Sequence, residues 1–133
     1  MRIGTWNMEG RRSDRHLAFL AGLACDALLL TEVPLGLELG SGSLVHSAPM
    51  GTRKHWAAVW TARPAASCPS PHDWSAASRL DGILLVATIL PWRGAGRHWN
   101  GPEPDTATRT AAVLDALEPL LRSAGGPVLF GGD

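Results

Sequence analysis

The chain has 133 residues, with 12 basic and 12 acidic side chains, no formal net charge, and 45% hydrophobic against 18% charged residues. That length fits one domain able to bury roughly two-thirds of the surface its unfolded chain exposes, and the composition is that of a globular chain rather than a disordered one. Charge neutrality argues against bulk electrostatic coating of nucleic acid, which needs a basic excess, yet leaves room for a local phosphate site.

No unbroken apolar run, those at residues 27–30 and 83–87 included, comes near the roughly 20 residues a membrane helix needs. No basic and apolar leader precedes the strand-like segment that begins at Ile3, so the expectation is a cytoplasmic chain without a secretory signal. Eleven of the basic residues are Arg and one, Lys54, is Lys. Arginine's planar fork suits phosphate, although compositional drift explains the skew as simply. Cys25 and Cys68 have neither metal-ligand spacing nor a disulfide framework. Cys25 reads as a small core residue in an apolar helical stretch.

In chain order, residues 2–6 read as a strand ending at Asn7 and a turn through Glu9-Gly10. Ser13 or Asp14 caps a helix on which Leu17, Leu20, Ala21 and Ala24 share one face. Residues 27–30 form a buried strand followed directly by Thr31-Glu32, completing a strand, helix, strand unit of βαβ size. A Gly- and Leu-rich loop over 34–43 leads to strands at 43–46 and 56–62, expected to form a hairpin or meander. Residues 63–78, rich in Pro, Ala and Ser and without periodicity, are expected to be a surface loop or flexible insertion.

Residues 83–88 are the most strand-like of all. Residues 91–104 read as an irregular loop holding Trp92, Arg93, Arg97, His98 and Trp99. Asp105 or Thr106 caps a second helix with Ala107, Ala111, Leu114, Leu117 and Leu121 near one face, and Pro119 is expected to kink or split its last turns. Gly125-Gly126-Pro127 stops that helix, and a last strand over 128–130 runs into Gly131-Gly132-Asp133.

Three strands therefore end in a polar residue: Asn7, Glu32 and Asp133. In α/β folds, sites form outside the carboxyl ends of strands. Carboxylates held there suit a hard cation such as Mg²⁺, which takes one or two carboxylates and keeps several waters. Such an ion polarises a phosphoryl oxygen and stabilises the leaving oxygen, while an amide such as Asn7 orients a carboxylate or donates to phosphate. By spacing alone, ordinary strand-end caps explain the same pattern. The loop residues Arg93, Arg97 and His98 are candidate substrate contacts, since guanidinium groups and aromatic rings hold phosphate and stack bases, and a plain solvated loop is the alternative. His16, His46, His55 and His72 read as surface residues.

The segments RIGTWNMEGR (2–11), CDALLLTEVP (25–34) and PVLFGGD (127–133), in this order and each on an expected strand end, resemble the endonuclease/exonuclease/phosphatase superfamily of exonuclease III- and DNase I-like enzymes. The resemblance implies the N-terminal portion of a four-layered α/β/β/α sandwich, truncated over residues 1–133 inside the family's Gly-Asp-x-Asn motif. It implies that Asn7 supports the phosphate and the catalytic carboxylate, that Glu32 is the Mg²⁺ or Mn²⁺ ligand with Glu9 assisting, and that Asp133 orients the attacking water or serves the leaving group.

The Asn two places beyond that Asp, the later strands and the closing Ser-Asp-His lie outside this sequence. Ile89 stands where the family has a His or Tyr facing the phosphate. The expected function is metal-dependent hydrolysis of a phosphate ester, of nucleic acid or of a small phosphorylated molecule, with no membrane span and no defined protein partner. A non-catalytic remnant or phosphate- or partner-binding module of the same fold is the alternative. The expected share of the fold is one sheet with its two helices, which leaves an inner apolar face uncovered and the isolated chain poorly stable.

Overall fold

The computed structural model describes residues 1–92, 95 and 105–133. Its elements are β1 (Ile3–Asn7), α1 (Asp14–Gly22), β2 (Ala27–Pro34), β3 (Ser43–His46), β4 (Pro49–Met50), β5 (Lys54–Thr61), β6 (Ala66–Cys68), β7 (Ser75–Leu80), β8 (Ile83–Thr88), α2 (Thr106–Arg122) and β9 (Val128–Gly132). They form two sheets. The first has the order β1-β2-β5-β3, with β4 also paired to β5, and the second the order β6-β7-β8-β9. The β1–β2 and β8–β9 pairs are parallel and the others antiparallel. Each parallel pair is bridged by a helix, as a parallel crossover requires.

The period-2 alternation of the strands builds four layers. Ala27 and Leu29 of β2 and Ala57 and Val59 of β5 meet Ala76 and Leu80 of β7 and Leu85 and Ala87 of β8 between the sheets. Leu28 and Leu30 on the opposite face of β2 pack under Leu17, Leu20 and Leu23 beside α1. Leu84 and Val86 on the other face of β8 pack under Val113 and Leu117 of α2. Strands covered on both faces read as continuous apolar runs, and β2 and β8 do. The layering is α/β/β/α. It corrects the expectation of one sheet with an uncovered inner face, because the second sheet lies on the first.

That second sheet includes β6 and the first four residues of β7 inside the segment expected to be a loop. Five of the six residues of β7 (SAASRL) are buried. Its Ala and Ser side chains have weak strand propensity, but their small size lets β7 sit in the middle of the sheet, and the buried Ser75 hydroxyl is satisfied by Thr88 Oγ1 at 2.8 Å.

Both helices also differ from expectation in their buried faces. α1 buries Leu20, while Ala21 and Ala24 are exposed. α2 buries Arg109, Val113 and Leu117 and exposes Ala107, Ala111 and Leu114; Val113 and Leu117 are the side chains that pack on β8, and alanines add little area to bury. Pro119 lies inside an unbroken α2 with its ring on an exposed position. Asp105 caps α2, its Oδ1 accepting from Thr108 N–H at 2.8 Å. At α1 the Ser13 hydroxyl instead bonds His16 Nδ1 at 2.6 Å. Cys25 lies beyond α1, half-buried with a free thiol, as Cys68 is.

Candidate functional site

The carboxyl ends of β1, β2 and β9 and the start of the antiparallel β5 share one edge of the two-sheet core. Asn7 is at the centre. Its Oδ1 accepts the Glu9 N–H at 2.8 Å, which fixes the amide so that Nδ2 donates to Asp133 Oδ2 at 2.6 Å and to Glu32 Oε1 at 3.3 Å. One side chain from the first sheet thus ties a carboxylate of that sheet to a carboxylate of the second.

Glu32 reaches the site by an unusual backbone. Its φ is +48°, although Thr31 and Val33 on either side keep their pairings to Ala57 and His55. The left-handed conformation costs a non-glycine residue roughly 1–2 kcal/mol. The turn after β1 holds it in place: Met8 N–H donates to Thr31 O at 2.9 Å and Gly10 N–H to Glu32 O at 2.8 Å. Strain maintained by surrounding structure is a common mark of functional positions.

Lys54, the first residue of β5, donates from Nζ to Glu32 Oε2. Its stem crosses Gly10, where an added Cβ would lie 3.1 Å from Lys54 Cδ. The hydrogen bond from Lys54, helped by that from Asn7, outweighs partial burial and holds the Glu32 carboxyl below its usual value.

Asp133 is placed by the glycines before it. Its N–H donates to Thr88 O at 3.2 Å and its carbonyl accepts from Leu90 N–H at 2.9 Å. Gly132 has φ +149°, and a Cβ there would lie 1.8 Å from Thr88 O. Glu32, Lys54 and Asp133, with Met50, Ile89, Leu90 and Trp92, line a cavity of about 430 Å³. A slightly larger, mostly apolar groove of about 490 Å³ lies under α1, toward the other end of β2 and β5. It lacks the convergent polar groups of the first.

The structure thus brings Asn7, Glu32 and Asp133 together. Glu9 meets them only through its backbone N–H, since its carboxylate pairs with Arg11 at 2.8 Å on the exposed surface. Arg93, Arg97 and His98 lie outside the described residues. Ile89 is 4% exposed and forms an apolar cavity wall. Among the described residues no histidine lines the cavity, and His46 stacks on His55 with ring centroids 4.4 Å apart. Sequence reasoning missed Lys54. Its signal was present: the single lysine of an Arg-rich chain, near the start of a strand expected to run antiparallel.

The Glu32 and Asp133 carboxylates are hard oxygen donors, the ligand type that Mg²⁺ and Mn²⁺ take one or two at a time with waters completing the shell. Among the described residues no group of three or more His, Cys, Asp or Glu gathers as an all-protein cage.

Solved structures share this architecture over a longer chain. The endonuclease domain of TRAS1, a telomere-specific non-LTR retrotransposon, superposes with a TM-score of 0.65 at 19% identity, over 99% of this chain and 57% of that one. The fold is DNase I-like. Truncated Caenorhabditis elegans TDP2 superposes with a TM-score of 0.61 at 14% identity over 97% of this chain and 59% of its own. A further structure of TDP2 from C. elegans gives 0.61 at 16% identity, over 97% and 46%. The DNase I-like chain described here therefore spans about half the length of the structures it matches. Its sequence matches no protein-family model and no curated protein.

Proposed function

We propose that the Asn7–Glu32–Asp133 cluster is the phosphate-ester site of a divalent-metal-dependent phosphoesterase, of which this chain supplies the N-terminal part. The supporting observation is the convergence of these three side chains, from three strands of two sheets, on a cavity edge. Glu32 and Asp133 would hold Mg²⁺ or Mn²⁺, and the ion's chemistry there is charge stabilisation on the phosphoryl and leaving oxygens.

Asp133 would accept a hydrogen bond from the attacking water and so orient it toward the phosphorus. Asn7 keeps the two carboxylates in register, and the apolar wall of Ile89, Leu90 and Trp92 limits water at the cavity. Positioning and preorganised charge supply most of the acceleration in such a site. The likeness to an endonuclease domain favours a nucleic-acid phosphodiester over inositol phosphates or lipids. Among the described residues no helix is long and apolar enough to cross a membrane.

The test is hydrolysis of bis(p-nitrophenyl) phosphate and of a single-stranded oligonucleotide by the purified chain with Mg²⁺ or Mn²⁺. Glu32→Gln is expected to lower the rate at least about a hundredfold with the fold retained. A wild-type chain that neither hydrolyses either ester nor binds Mn²⁺ through Glu32 refutes the catalytic reading. A second reading, a phosphate-binding module without turnover, is favoured by Ile89, which can neither donate a hydrogen bond nor carry charge. It is met by phosphate binding without product.

A further inference from the structure

We propose that Lys54 is a positioning residue that couples divalent-cation binding to phosphate binding at this site, an inference that rests on the phosphoesterase reading. Lys54 Nζ occupies Glu32 Oε2, and Asn7 Nδ2 occupies Oε1. A divalent ion coordinated by Glu32 sits about 2 Å from its oxygens. An ammonium on the same oxygens would lie within contact distance of it, where like charges repel strongly. The two cations therefore exclude one another at Glu32, and the ion must displace Lys54.

The fold determines where the displaced ammonium goes. The Lys54 Cα is fixed at the head of β5 by pairing with Pro34 and Met50, and its stem runs across Gly10. A four-carbon stem with a compact ammonium swings without backbone movement. Among the described residues lining the cavity, Lys54 is the only cation beside the two carboxylates, so an entering phosphate finds its countercharge there. The same ammonium thus serves Glu32 before the metal arrives and the phosphate afterwards. Each ligand removes an obstacle to the other, and thermodynamic reciprocity makes the coupling equal in both directions.

The experiment measures Mn²⁺ affinity from the electron paramagnetic resonance of the free ion, with and without inorganic phosphate, for the wild-type chain, Lys54→Met, Lys54→Gln and Lys54→Arg. In the wild-type chain phosphate is expected to tighten Mn²⁺ binding about tenfold. Without phosphate, Lys54→Met and Lys54→Gln are expected to bind Mn²⁺ about tenfold more tightly than wild type, because the competing charge is gone. Phosphate then changes their affinity little. Lys54→Arg retains the coupling.

A merely structural brace gives the opposite sign, since its loss loosens Glu32 and weakens Mn²⁺ binding. Mn²⁺ binding in the neutral variants no tighter than in wild type overturns the proposal. A wild-type affinity unaffected by phosphate does the same without any variant, so a failure of Lys54→Met to fold leaves the question decided. Cation-dependent hydrolysis lost in Glu32→Gln but unaccompanied by coupling refutes the coupling alone. Coupling in a chain that hydrolyses nothing upholds the coupling and favours the binding-module reading.

Discussion

Gly132→Ala tests how the site is assembled. A Cβ at position 132 would lie 1.8 Å from Thr88 O, 2.9 Å from its carbonyl carbon and 3.0 Å from its nitrogen. All three are backbone atoms of β8, which is held by β7 on one side and β9 on the other, so they cannot give way as a side chain would. The end of β9 must move instead. Three hydrogen bonds then go: Asp133 N to Thr88 O, Leu90 N to Asp133 O, and Asn7 Nδ2 to Asp133 Oδ2. At about 0.5–1.5 kcal/mol each, and toward the lower end for an exposed edge, the expected loss is roughly 1.5–3 kcal/mol in urea unfolding.

The Asp133 carboxylate leaves its register with Asn7 as well, and an ångström-scale misplacement of a positioning group costs on the order of a hundredfold in rate. Gly131→Ala is the control. Its Cβ would lie 3.0 Å from Leu29 Cδ1, the mobile end of a side chain, so its cost is expected to be about 1 kcal/mol. A Gly132→Ala chain as stable and as active as wild type, or no worse than Gly131→Ala, refutes this account of the turn into Asp133.

Two further outcomes follow from burial and charge. Burial, and then the neighbouring His55, push the His46 imidazole below its usual 6.5, and burial does the same to His72 against the opposing pull of Asp73. Both histidines favour the neutral form in the folded chain. Stability is therefore full above pH 6.5 and declines as the pH falls from 6.5 toward the lowered values, because the unfolded chain takes up the protons first. Urea midpoints measured from pH 7 to pH 5 are expected to fall, and His46→Leu to flatten part of the decline; a midpoint that rises over this range contradicts the sign. Leu85→Ala, at a fully buried position between the sheets, is expected to cost about 2–5 kcal/mol, and a loss under 1 kcal/mol would mean that the two sheets do not pack as described.

What the sequence showed clearly were the elements whose local chemistry agreed with their environment. The apolar runs of β2 and β8, the βαβ opening and the polar residue at each strand end are each visible in a few adjacent residues. Strand β7 was not, because Ser-Ala-Ala-Ser acquires its buried character only from the neighbours that cover it. The helix faces were misjudged for a related reason. Alanine fits either face, so Ala107 and Ala111 carried no information, while Arg109 lies on the face that a polar residue is expected to avoid. Lys54 escaped notice because its partner, Glu32, belongs to a different strand, and an ion pair between strands leaves no spacing in the sequence.

The two glycines before Asp133 have separate roles, and the difference explains how a site can straddle two sheets. Asn7, Glu32 and Lys54 belong to the first sheet and Asp133 to the second, so the Asn7–Asp133 hydrogen bond is only as well fixed as the packing of one sheet on the other. Gly131 is where β9 comes against Leu29 of β2, and a bare Cα there allows that close approach. Gly132 then passes Thr88 O at a distance no side chain tolerates and turns Asp133 toward Asn7. Substitutions between the sheets, such as Leu85→Ala, therefore act on the same distance as Gly132→Ala, from the opposite side. Stability and site geometry are coupled here through the width of the inner core.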